Sequence, residues 1–126
     1  MDNIDNKYCN GKIYAIKCLT TGELYIGSTY QSLKTREIKH LTDLHGYLGY
    51  DNRIPRNYRT SFEVLFNKNY NYFLIEDYSC CSKEELEIRE TLHIYNNTCV
   101  NKSKRRITLE DYDLSSLPSV VCPSLT

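Results

Sequence analysis

The chain has 126 residues, with sixteen basic and sixteen acidic side chains and a formal net charge of zero. That length suits one domain with at most a tail and excludes a doubly wound sheet with a second domain. At 40% hydrophobic and 25% charged, the composition is that of a globular chain, not a disordered polar one. The neutral total also argues against a polybasic, histone-like nucleic-acid binder.

No apolar run approaches membrane-spanning length, so no membrane association is expected. The start, Met1-Asp2-Asn3-Ile4-Asp5, lacks the basic and apolar regions of a secretory signal. An intracellular setting is expected, cytoplasm or nucleus (of a host cell if viral), not secretion. Cys9, Cys18, Cys80, Cys81, Cys99 and Cys122 have no zinc-type spacing, and the adjacent pair suits a disulfide framework poorly. Reduced thiols are therefore expected.

Residues 1–11 are polar and end in the turn signal Asn10-Gly11. Residues 12–18 and 24–27 read as strands around Thr20-Thr21-Gly22-Glu23, a hairpin. An even loop would place Tyr14 and Tyr25 on one face, and an odd loop would separate them. Leu33, Glu37, Leu41, Leu44 and Leu48 follow the helical period, which fades near Gly46 and Gly49. Arg36 and His40, four apart, are neighbours on one face of that helix. Residues 50–59 form a polar loop in which Pro55 bars a central strand.

Residues 61–66 alternate through Phe62, Val64 and Phe66 like a strand, yet are short enough for one or two helical turns. Residues 72–77 read as a third strand. Ser82-x-x-Glu85 is a capping box, opening a helix with Leu86, Arg89, Glu90, His93 and Ile94 on one face and an end near Asn96-Asn97. A short extended piece follows at 99–101. Residues 108–126 read as a tail with one weak helical turn before Pro118 and Pro123. The expected organisation is an extension at 1–10, a domain at 11–107 and a tail at 108–126.

The zero charge is a sum of unlike halves. Residues 1–60 carry nine Lys/Arg against six Asp/Glu, and residues 61–126 carry seven against ten. Lys102, Lys104, Arg105 and Arg106 form a second local basic cluster.

Lys12-Ile13-Tyr14, then ten residues, then Tyr25-Ile26-Gly27 resembles the signature of the GIY-YIG nuclease family. Arg36-x-x-x-His40 is similar to that family's helical Arg/His pair. Arg89-Glu90 matches its metal-binding glutamate, and Val100-Asn101 its closing asparagine. Either tripeptide alone says little; the ordered series over residues 11–102 carries the resemblance. One departure is Lys12, which stands where the signature has its first glycine, with Gly11 beside it. The resemblance also aligns residues 62–66 with the family's short middle helix.

The resemblance implies an α+β fold, a small three-stranded antiparallel sheet flanked by helices. It implies a metal-dependent endonuclease that hydrolyses DNA phosphodiester bonds, leaving 5′-phosphate and 3′-hydroxyl ends, with Mg²⁺ or Mn²⁺. Tyr14 would be the general base and Tyr25 would position the water, with Ile13, Ile26 and Gly27 building the motif. The residue types fit that chemistry. Glu90 is a hard oxygen ligand for a divalent cation that keeps several waters. Arg36 is a planar fork for developing phosphate charge. His40 can relay a proton, and Asn101 can orient water or the glutamate.

A tyrosine of pKa about 10 would need about 4 kcal/mol of help to reach 7. The base therefore stays open between a Tyr14 phenolate and proton transfer to His40. Lys34, Lys39, Arg53, Arg56 and Arg59 are expected to contact the DNA backbone. Tyr47, Tyr50 and Tyr58, interleaved with them, suit base stacking. His93 is expected to support or pack rather than ligate.

The expected partner is duplex or branched DNA, in repair or recombination, with a protein partner supplying target choice. Two alternatives stand beside the enzyme: a non-catalytic nucleic-acid-binding module with this fold, and a nuclease subunit active only in a complex.

Overall fold

The computed structural model describes residues 6–49, 58–102 and 104–123. Strands β1 (Lys12–Cys18) and β2 (Leu24–Thr29) pair antiparallel. Their connection closes with Gly22 N–H donating to Cys18 O at 2.8 Å and Cys18 N–H to Glu23 O at 2.9 Å. Gly22 takes a φ of +81°, which a residue with a Cβ adopts only with strain. The loop is even: Tyr14 lies opposite Gly27 and Ile16 opposite Tyr25. Side chains alternate along a strand, so Tyr14, Tyr25 and Gly27 share one face.

β3 (Tyr70–Asp77) joins the free side of β1, giving an antiparallel sheet in the order β2-β1-β3. It starts two residues before the expected strand. Its register shifts between Ile13 and Tyr14, which face Glu76 and Leu74, leaving Ile75 as an extra residue. Such bulges re-aim neighbouring side chains.

Helix α1 (Leu33–Tyr47) starts where the Ser32 hydroxyl accepts the Thr35 N–H at 3.1 Å. Helix α2 is the single turn Phe62–Leu65. The local alternation called equally for a strand there, which would bury Phe66 and expose Leu65. The reverse holds: Leu65 is 1% exposed and Phe66 42%. Helix α3 (Lys83–Tyr95) is capped by Ser82, whose hydroxyl accepts from Glu85 N–H at 3.2 Å, while the Glu85 carboxylate accepts from Cys81 N–H at 2.9 Å. The capping box therefore reaches one residue further back than its usual form.

The sheet is the middle layer of an α+β fold. Tyr14, Ile16 and Cys18 pack with Leu44 of α1 and Phe62, Val64 and Leu65 of α2 on one side. Ile13 and Ile26 pack with Leu86 and Ile94 of α3 on the other. Gly11 enters β1 with its carbonyl accepting from Tyr78 N–H at 2.7 Å, and a Cβ there would lie 2.4 Å from Tyr78 O. Close packing at the strand start is thus kept by Gly11, with Lys12 following it.

Residues 6–10 are docked to the domain. Their 3₁₀ turn (Lys7–Asn10) is tied by Cys80 N–H to Tyr8 O at 3.0 Å and Asn6 Nδ2 to Cys80 O at 3.2 Å. The tail holds two 3₁₀ turns, Leu109–Asp111 and Leu114–Ser116, where one was expected, and it returns to β3 through Asn71 Nδ2 and Pro123 O at 3.5 Å. All six cysteines are free thiols. Among the described residues, no helix is long and apolar enough to cross a membrane.

Candidate active site

Tyr14 is wholly buried, yet its hydroxyl meets two groups from α1. His40 Nε2 is 2.6 Å away, and Arg36 Nε donates to the hydroxyl oxygen at 3.3 Å. The four-residue spacing makes this possible, because it puts both side chains on the turn facing the sheet. Arg36 can only donate, so the proton of Tyr14 is directed at Nε2. Beyond it, His40 Nδ1 lies 3.2 Å from the Ser61 hydroxyl. An Nδ1-protonated imidazole donates to Ser61 and leaves Nε2 to accept from Tyr14. The Tyr14 ring is stacked on Tyr72, with centroids 5.0 Å apart at 18°.

Burial dominates the electrostatics. It pushes the Tyr14 hydroxyl well above the ordinary tyrosine value, against the opposing charge of Arg36. Tyr25 is raised for the same reason. Burial, aided by Arg36, takes His40 down to about 3. At neutral pH Tyr14 is therefore a phenol and His40 a neutral base.

Glu90 arrives from α3, on the opposite face of the sheet, and its carboxylate accepts a hydrogen bond from the Ser28 hydroxyl. Burial raises its pKa to about 6, against the Ser28 bond. Two clefts open here, of about 620 and 390 Å³, and Tyr25, Arg36 and Glu90 line both. Tyr14 lines the larger and His40 the smaller. Among the described residues, no three His, Cys, Asp or Glu side chains gather as a metal site. Glu90 lines both clefts, beside Glu87 in the larger and Asp43 in the smaller, and its carboxylate fits a hard divalent ion that keeps its water and shares phosphate oxygens, as Mg²⁺ does.

Gly27 has a spatial role. A Cβ on it would lie 2.4 Å from both Cζ and the hydroxyl oxygen of Tyr14, so the glycine makes room for that ring. Ile13 and Ile26 are fully buried on the α3 side and anchor the two motif strands.

Asn101 has backbone partners that its sequence position did not reveal. Its Oδ1 accepts from Ile26 N–H at 2.9 Å and its Nδ2 donates to Ile26 O at 2.7 Å. With Val100 N–H donating to Leu24 O at 2.8 Å, this segment closes the outer edge of β2. The amide thus holds the strand, and Asn101 also lines the smaller cleft with Glu90.

Among the expected DNA contacts, Lys39 and Arg59 converge on the buried Asp43, at 3.0 and 3.5 Å, beside the smaller cleft. Tyr58 lines that cleft and packs edge-on against Tyr47, centroids 5.5 Å apart. Lys34 lines neither cleft and faces Glu37 at 3.9 Å. Arg53, Arg56 and Tyr50 lie outside the described residues.

His93 lies away from the clefts, fully buried, with Nε2 2.6 Å from Glu76 Oε2. Arg89 forks onto the same carboxylate at 2.6 and 2.9 Å. Against the cost of burial, these bonds hold Glu76 below its ordinary range.

Sequence reasoning missed Ser28, Ser61 and Tyr72. Ser61 stands where a serine ordinarily caps a helix, but it makes no capping bond and its hydroxyl faces His40 instead. It missed the cleft cations Lys83, Lys102, Lys104 and Arg105 as well, although three of these were visible as a basic cluster. Each cleft presents four Lys/Arg against two carboxylates. No protein-family model, curated protein or solved structure matches the chain.

Proposed function

We propose that the chain is a metal-dependent DNA endonuclease of the GIY-YIG type. The observation that carries this reading is the Tyr14 hydroxyl, held between His40 Nε2 and Arg36 Nε, with Glu90 on the adjoining clefts. A water placed by Tyr25 attacks the phosphorus and gives its proton to Tyr14 as Tyr14 passes its own to His40, while the P–O3′ bond breaks and the departing 3′-oxygen takes a proton from solvent water. Ser61 accepts from Nδ1 and steadies the imidazolium. Arg36 faces the developing phosphate charge, where a preorganised donor acts most strongly. Glu90 would hold Mg²⁺ or Mn²⁺, which when bound supplies charge neutralisation at the phosphate and the leaving oxygen. The products carry 5′-phosphate and 3′-hydroxyl ends.

The raised Tyr14 favours the relay over a standing phenolate. Burial opposes a phenolate formed beforehand, whereas the relay moves the proton only during attack. His40 is a weak base in the free protein because burial and Arg36 oppose its charge. A substrate phosphate beside Arg36 offsets that charge and raises the basicity of His40 when it is needed.

Nicking of supercoiled plasmid in Mg²⁺ or Mn²⁺ tests the reading. Wild type should nick and leave ends that ligase reseals; Glu90→Ala should not nick, and Arg36→Ala should nick far more slowly. Failure on duplex, flap and branched DNA with both metals overturns it. Tight binding without cleavage would make the chain a binding module, and cleavage only with an added protein would make it a subunit.

A further inference from the structure

We propose that the larger cleft receives an unpaired nucleotide, its base against Tyr30 and its phosphates toward Lys83 and Lys104, so that a fork, flap or bubble is preferred to continuous duplex. The identity of the polymer rests on the nuclease reading. The cleft, about 620 Å³, falls in the range of about 300–1,000 Å³ that encloses small organic ligands. A hydrated ion and one phosphate need less.

Its lining includes an aromatic platform. Tyr30 is 37% exposed and meets Tyr8 edge to face at 5.5 Å. The Lys7 ammonium lies 4.7 Å over the Tyr30 ring. Tyr8 is fixed in place, because its carbonyl accepts from both Gly11 N–H and Cys80 N–H at 3.0 Å. Tyr30 directly follows β2, three residues from Gly27, so it is carried by the strand that carries Tyr25. Bases inside a duplex are stacked on their neighbours; an unpaired base offers its ring face to an aromatic side chain.

The cations sit where the phosphates would run. Arg105 is engaged by Glu87 at 2.8 Å and Glu84 at 3.4 Å. Among the described residues, Lys83 makes only a 4.0 Å contact with Glu87, and Lys104 lies 5.2 Å over the Tyr95 ring, so both can turn toward a phosphate. Arg36 and Glu90 line the same cleft, so a nucleotide held there adjoins the reaction centre.

The test is fluorescence anisotropy with the full chain in EDTA, comparing a labelled fork with a duplex of equal length and sequence. The fork should bind about tenfold tighter or more, the scale of base–aromatic stacking. Tyr30→Ala should remove most of that preference while changing duplex affinity less than about twofold, and Tyr30→Phe should keep it. Equal affinity for fork and duplex, or equal loss on both with Tyr30→Ala, overturns the assignment. Fork preference without cleavage in Mg²⁺ or Mn²⁺ supports the cleft and overturns the nuclease reading. Plasmid nicking without fork preference does the opposite.

Discussion

Gly27 faces Tyr14 across the β1–β2 ladder, and the tyrosine ring occupies the space where any other residue at 27 would place its Cβ, 2.4 Å from the hydroxyl oxygen. The pairing explains why a glycine belongs at this position of β2. Tyr14 is fully buried with Tyr72 stacked on it, so the ring is hemmed in on that side.

Gly27→Ala should therefore overpack the site. The expected loss is about 1–3 kcal/mol of stability, read as a fall in Tm of several degrees. Cleavage should fall further than stability explains, because the displaced hydroxyl no longer meets His40. Wild-type Tm and activity in this variant would show that the ring finds other room.

Tyr14→Phe removes the hydroxyl and keeps the stacked ring. Folding should persist, while plasmid nicking should fall about 10²- to 10⁴-fold, the scale of a positioned proton-transfer group. Ser61→Ala should lower kcat with little change in KM, since Ser61 orients His40 without touching substrate. If Ser61→Ala instead leaves kcat unchanged, the bond to Nδ1 is only a packing feature. Arg36→Ala should fold and lose about 10²- to 10³-fold.

The two shifted groups predict opposite pH dependences. His40 is held near 3 in the folded protein against an ordinary 6.5. Between those values the unfolded chain binds a proton that the folded chain refuses, so this contribution is complete above 6.5 and is lost as pH falls toward 3. Glu90 is raised from 4.5 to about 6. The folded chain then holds a proton that the unfolded chain releases, so its contribution is present below 4.5 and is lost as pH rises through about 6. In EDTA, Glu90→Gln should thus be more stable than wild type at neutral pH, by up to about 2 kcal/mol, with the difference vanishing in acid. Urea melts across the pH range would read this, and a constant difference would contradict it.

Asn101→Ala leaves the Ile26 N–H and C=O without their side-chain partners at the sheet edge. It should cost about 1–3 kcal/mol, while activity below the new Tm stays within about tenfold of wild type. Unchanged stability with abolished cleavage would return Asn101 to the reaction centre.

Much of this architecture follows from short-range rules. The even turn around Gly22 set the shared face of Tyr14 and Tyr25, four-residue spacing set Arg36 beside His40, and Ser82 with Glu85 set the start of α3. Each depends on neighbours within a turn or a hairpin, where a period of two or of 3.6 decides which way side chains point. Residues 62–66 lacked that clarity, because their helix buries Leu65 against a sheet formed from distant segments.

The sequence by itself determined the order of the main elements, the place of the hairpin and the residue types that chemistry could use, while the even register of the hairpin came from the structure. Only the tertiary structure decided what those residues do. Asn101 met Ile26, seventy-five positions away, and Ser61 met His40. A neutral chain was divided into clefts where cations outnumber carboxylates. The reason is physical: periodicity is written in local geometry, whereas desolvation and long-range hydrogen bonds exist only once the layers close. It is that closure which lifts Tyr14, lowers His40 and brings the tyrosine hydroxyl within 2.6 Å of the imidazole.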